Sequence, residues 1–85
     1  MGLAMVGTDE IADRISNVLV ARLRANPDSI AESASLDADL GATSLDMVET
    51  IMTLEDEFGI EISDRDAETL KTVGDVMAMV RAKLN

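Results

Sequence analysis

The sequence contains no cysteine and no histidine. Those two absences exclude a disulfide, a cysteine nucleophile, a Ser-His-Asp triad and a zinc site of the usual ligand types. A lysine could in principle serve as a base. The only lysines are Lys71 and Lys83, both in the C-terminal part. An enzyme is therefore the weakest functional class. Aromatic residues are almost missing as well: Phe58 is the only one. The core must be aliphatic, with methionine filling the gaps. Runs of β-branched and aromatic residues at strand spacing are also lacking, which favours helices.

Positive charge is scarce over a long interval. No Lys or Arg occurs between Arg24 and Arg65. The same interval holds Asp28, Glu32, Asp37, Asp39, Asp46, Glu49, Glu55, Asp56, Glu57, Glu61 and Asp64. The formal net charge is -10. Such a field repels nucleic acid and anionic membranes and attracts basic protein surfaces. Charge alone does not separate a docking surface from a merely solubilising one. No run approaches transmembrane length, and Met1 to Gly7 is too short for a signal peptide, so the cytoplasm is the expected location.

What is present suits one small domain. The chain has 85 residues, of which 47% are hydrophobic, enough to build a modest core. Residues 1–7 read as a flexible tail and 8–85 as the domain. Thr8 is placed to cap a first helix, with Asp9 and Glu10 in its first turn. Ile11, Ile15, Val18, Leu19 and Leu23 then recur at helical spacing. Arg22, near the apolar stripe, reads as a snorkelling side chain. Asn26-Pro27-Asp28 ends the helix. Ala25 to Thr43 has no clear helical period, and loops of that length are usually functional or disordered. Ile30, Leu36 and Leu40 are spaced to pin it to the core. Asp37-Ala38-Asp39 starts like a calcium loop. Ala42 then stands where the turn glycine belongs and Val48 where the closing carboxylate belongs, so the EF-hand reading fails.

The strongest amphipathic pattern follows. A second helix is expected from Ser44 or Leu45 to Phe58, with Gly59 ending it. Met47, Val48, Ile51, Leu54 and Phe58 gather on a core side. Asp46, Glu49, Thr50, Thr53, Asp56 and Glu57 gather opposite, with Leu45 and Met52 on a flank. Thr43 or Ser44 can cap this helix, and capping alone is the plain reading of Ser44. Ser63 or Asp64 can start a short third helix through about Leu70, with Ala67 and Leu70 inward. Thr72 and Asp75 form a capping-box pattern opening a fourth helix, marked by Val73, Val76, Met77, Val80 and Leu84. The expected fold is all-α: a small four-helix bundle with three principal helices, a short third one, and a long loop between helices one and two.

Gly41-Ala42-Thr43-Ser44-Leu45-Asp46 resembles the stretch Gly-x-Asp-Ser-Leu-Asp/Glu that opens the second helix in the acyl carrier protein family. Downstream, Val48-Glu49, the run Leu54 to Ile62, Asp64, Asp66-Ala67-Glu68 and Thr72-Val73-Gly74-Asp75 are similar to the same family. The resemblance runs from Thr8 to Leu84 and is strongest from Leu36 to Asp75. It implies that Ser44 carries a 4′-phosphopantetheine group, transferred from coenzyme A by a phosphopantetheinyl transferase. The arm's thiol would hold acyl chains as thioesters for partner enzymes of fatty acid, specialised lipid or polyketide synthesis. The carrier itself would do no chemistry. By position, Leu45, Asp46, Glu49, Met52, Glu55 and Asp56 would dock basic patches on those enzymes. Val48, Leu54 and Ile62 would line a cleft for the acyl chain. No metal, nucleic acid or membrane insertion is implied, and a monomer is expected. Thr43 departs from the family's usual Asp, which implies a carrier tuned to particular partners. A peptidyl carrier shares the arm and bundle, though the Glu-rich end of helix two favours the acyl type. An unmodified acidic interaction module, with Ser44 only a cap, is the reading from a different class.

Self-repulsion of the acidic interval opposes compaction. Added monovalent salt or a divalent cation is expected to raise the melting temperature, as followed by circular dichroism. A melting temperature indifferent to salt would contradict this reading of the charge.

Overall fold

The computed structural model describes residues 3–84, with side chains from Glu10 onward. Four α-helices follow in order: α1 (Leu3–Leu23), α2 (Ser44–Phe58), α3 (Asp64–Glu68) and α4 (Val73–Leu84). A 3₁₀ turn at Pro27–Ser29 interrupts the connection between α1 and α2. Among the described residues there is no strand, only an isolated bridge between Ser35 and Thr72.

Helix α1 starts earlier than the capping signal suggests. Its backbone is helical from Leu3, so Thr8 lies inside the helix rather than at its start. The residues before Thr8 include Ala, Met and Leu, good helix formers that let the helix continue N-terminally. The expected tail falls partly on Met1 and Gly2, which lie outside the described residues. At the other end, Arg24 takes a left-handed conformation (φ 55°) just past Leu23. This is the backbone state that commonly terminates helices. The chain therefore stops its helix before Asn26-Pro27-Asp28. That tripeptide instead builds the 3₁₀ turn, with the Asn26 side chain accepting from the Asp28 amide at 2.9 Å. Arg22 is exposed, and its Nε donates to Thr53 Oγ1 on α2 at 2.8 Å, so it bridges two helices.

Helix α1 packs against α2 and α4. Ile15, Val18 and Leu19 meet Leu54 and Phe58 of α2 and Val73, Val76, Met77 and Val80 of α4 in one apolar cluster. Each fully buried aliphatic side chain of this kind contributes about 1.5–3 kcal/mol. Phe58, the lone aromatic, closes one end. The Arg14 guanidinium stands 4.4 Å over its ring, and Arg14 Nε pairs with Glu57 Oε2 at 2.8 Å. Leu84, expected on the α4 core face, is 43% exposed at the helix end.

The long loop is built rather than loose. Leu36 and Leu40 are buried and Ile30 is half-buried, as the spacing suggests. Its backbone joins the α3–α4 connection: Leu36 N donates to Lys71 O at 2.9 Å, Val73 N to Ala34 O at 3.0 Å, and Gly74 N to Glu32 O at 2.8 Å. A Cβ on Gly74 would stand 3.1 Å from Glu32 O, so this contact needs glycine or a small shift of the loop. Asp39 folds back and accepts from Ser35 N at 2.7 Å.

Two residues of α2 sit on the wrong side of the expected division. Val48 is 53% exposed, whereas Thr50 is fully buried. At about 100° per residue the stripe through Met47, Leu54 and Phe58 puts Val48 at its edge and Thr50 nearer its centre. Side-chain polarity suggested the reverse, but helix phase decides. Thr50 Oγ1 has no hydrogen-bond partner. A buried hydroxyl without a partner carries a desolvation penalty of about 1–3 kcal/mol. Thr50→Val, which keeps the shape and removes the hydroxyl, is expected to stabilise the domain by about 1 kcal/mol in urea unfolding. Destabilisation by that substitution would show that the hydroxyl has a partner in solution.

Candidate functional site

The start of α2 is set by a reciprocal pair. Thr43 Oγ1 accepts from the Asp46 amide at 3.1 Å, and Asp46 Oδ2 accepts from the Thr43 amide at 3.0 Å. This is a capping box with Asp in the usual Glu position. Gly41 (φ 73°) supplies the left-handed turn that brings the chain into it. Thr43 is therefore the cap, and Ser44 is the first residue inside the helix. The plain reading of Ser44 as a cap fails, because its neighbour does that work. Ser44 is exposed at the positive end of a 15-residue helix.

Ser44 stands on the rim of two clefts. The larger, about 820 Å³, lies between α2 and the segment from Ile62 to Lys71. Val48, Met47, Ile51 and Ile62 supply much of its apolar wall. The smaller, about 250 Å³, lies beneath the turn from Leu36 to Ala42. Of the three residues expected to line an acyl cleft, Val48 and Ile62 do border the larger one. Leu54 does not: it is fully buried in the main core.

The expected docking residues divide into two groups. Leu45 (66% exposed) and Met52 (59% exposed) stand out from α2, and Val48 joins them, making an exposed apolar ridge that starts beside Ser44. Glu49 and Asp56 are exposed. Asp46 is half-buried in its own capping box. Glu55 is half-buried, and its Oε2 accepts from the Ile62 amide at 2.8 Å. Glu55 thus holds the α2–α3 connection along one side of the larger cleft. Nothing in the local pattern showed this, since the partner is a backbone group seven residues on.

Two further carboxylates position the cleft's far wall. Asp66 of α3 has its carboxyl lowered below the ordinary range, first by a hydrogen bond from Lys83 on α4 and then by the Ser63 amide. The Lys83 Nζ–Asp66 Oδ2 distance is 2.9 Å. Asp75 is lowered by the amides of Lys71 and Thr72, which it caps at the start of α4. The expected Thr72–Asp75 capping box is present, and α3 starts at Asp64 as expected, capped by Ser63, but ends at Glu68 rather than near Leu70, with Thr69 closing it.

Residues 13–80 match the family model described as the phosphopantetheine attachment site. The chain belongs to this family. Its members carry 4′-phosphopantetheine covalently, and the chain is a carrier rather than an enzyme. A solved structure described as an acyl carrier protein from Mycobacterium tuberculosis is similar, with a TM-score of 0.79 and 40% sequence identity. The similarity covers 85% of this chain and 96% of that one. The carrier shares that protein's helical fold, and none of its described helices is long and apolar enough to cross a membrane. The site fits the covalent group. A serine hydroxyl without a capping role is open to an enzyme, and the helix amides favour the phosphodiester that would be attached to it.

Glu55→Ala is expected to cost the carrier about 1–2 kcal/mol and to speed hydrogen exchange at the Ile62 amide. Glu49→Ala, on an exposed side chain, should change stability by less than about 0.5 kcal/mol. Equal effects of the two substitutions would remove the structural role assigned to Glu55.

Proposed function

We propose that Ser44 is the phosphopantetheine attachment point and that the chain presents acyl intermediates, held as thioesters on the arm, to partner enzymes. The observation that carries this reading is the division of labour at the start of α2: Thr43 caps the helix and leaves Ser44 exposed at the meeting of two clefts. The family match supplies the cofactor, and the 40% identical acyl carrier protein supports an acyl cargo. The arm supplies the thiol on which acyl groups are carried.

In this reading the ridge of Leu45, Val48 and Met52, with Glu49 and Asp56 beside it, meets basic patches on the transferase and on acyl-processing enzymes. Asp46 and Glu55 add charge to the same surface while serving the fold. Steering by such a face speeds encounter without demanding high affinity, which suits a carrier that visits several enzymes. Val48 and Ile62 line the acyl shelter. Leu54, fully buried in the core, is not part of that lining. Fatty acid synthesis or a dedicated lipid or polyketide pathway in the cytoplasm are the settings consistent with such a monomeric carrier. Thr43 in place of the family's usual Asp favours a dedicated one.

The test is intact mass before and after incubation with coenzyme A and a broad-specificity transferase. A gain of one phosphopantetheinyl group is expected, with none in Ser44→Ala. Because Thr43 holds the cap, Ser44→Ala should fold normally, so a missing gain reports the lost hydroxyl alone. Modification of the Ser44→Ala variant would place the attachment elsewhere. Absence of modification in both the native chain and Thr43→Asp would favour the unmodified interaction module.

A further inference from the structure

We propose that Lys71 pairs with the phosphodiester of the arm on Ser44 and holds the arm over the larger cleft rather than along α2. This rests on Ser44 being the attachment point. Lys71 lines both clefts on whose shared rim Ser44 stands. It is the only cation among the residues lining either one. The carboxylates there are Asp37, Glu55, Asp64 and Glu68. Two of these already accept backbone amides: Glu55 from Ile62, and Asp37 from Ala38. Among the described residues, the side-chain ammonium of Lys71 makes no ion pair; the pairs formed are Arg14 with Glu57 and Lys83 with Asp66.

The backbone of Lys71 is tied on both sides. Its carbonyl accepts from Leu36 N at 2.9 Å, and its amide donates to Asp75 Oδ2 at 2.9 Å. The root of the side chain is therefore held in place beside the Asp75 carboxylate, which feels the Lys71 charge, while the ammonium, on an exposed residue, forms no direct ion pair there. Attachment puts a permanent negative charge on the non-bridging phosphate oxygens, two bonds from the Ser44 oxygen. The acidic side of α2 repels that charge, and Lys71 attracts it from across the clefts. The result is a bias in the arm's direction, toward the apolar wall formed by Val48 and Ile62. Lys71 is a positioning residue and takes no part in bond making.

The experiment uses the full chain loaded by transferase, with loading followed by mass. The side-chain carbon and nitrogen resonances of Lys71 are read by NMR at one fixed pH before and after loading. Those resonances are expected to move on loading, as for an ammonium that gains an anionic partner. The phosphorus resonance of the arm should shift in Lys71→Met, return toward the native position in Lys71→Arg, and stay unchanged in Arg81→Met, which alters an exposed cation of α4 outside both clefts. Full loading with unmoved Lys71 side-chain resonances, and with the same phosphorus resonance in Lys71→Met and the native chain, overturns the pairing and leaves the carrier reading intact. Failure to load Ser44 at all overturns both.

Discussion

The reciprocal hydrogen bonds between Thr43 and Asp46 decide where α2 begins, and most of the molecule's organisation follows from that starting point. A helix that began one residue later would make Ser44 the cap and tie up its hydroxyl. Because the box closes on Thr43, the phase of α2 is set with Leu54 and Phe58 turned into the core and Leu45, Val48 and Met52 turned out. The same phase places Ser44 at the mouth of the clefts. One local cap thus links secondary structure, core packing and site exposure.

Around this helix the chain solves a problem set by its composition. With one aromatic residue and a large negative charge, the domain has little apolar bulk and considerable internal repulsion. Its few cations are used sparingly. Arg14 grips the end of α2 through Glu57 and Phe58, Arg22 reaches Thr53, and Lys83 holds α3 through Asp66. Carboxylates that would otherwise only repel are drawn into backbone capping. Asp39, Asp46, Glu55, Asp66 and Asp75 each accept from an amide. An acidic surface suited to basic partners is compatible with folding because many of its acids face orphan backbone donors rather than one another.

The clefts depend on segments that pack weakly by themselves. The five-residue helix α3 has no buried residue of its own. It is held by caps at its ends, by Lys83, and by Glu55 gripping Ile62. A wall made this way depends on few buried apolar contacts and lies apart from the α1–α2–α4 core.

Local chemistry in the sequence determined much of this protein. Periodicity located the core of α1, α2 and α4, and the motif around Ser44 pointed to the family. The Thr72–Asp75 pair announced its own capping box, and Gly59 its helix end. What the sequence left undecided was set by groups distant along the chain or by helix phase. The polarity of Thr50 and Val48 suggested one division of α2, and packing against α1 imposed another. Thr8 looked like a helix start, yet the backbone is already helical from Leu3 and continues through Gly7. Thr43 and Ser44 are equivalent as caps in a linear reading; only the closed hydrogen-bond ring separates them. Glu55 is one more acid of a docking face until Ile62 folds beneath it. Lys71 lies far along the chain from Ser44 and reaches its clefts only because the Leu36 amide bonds the Lys71 carbonyl. Periodicity and caps act within a few residues, where the sequence can be read directly. The clefts, and the charges that face them, arise from contacts between segments, which only the tertiary structure brings together.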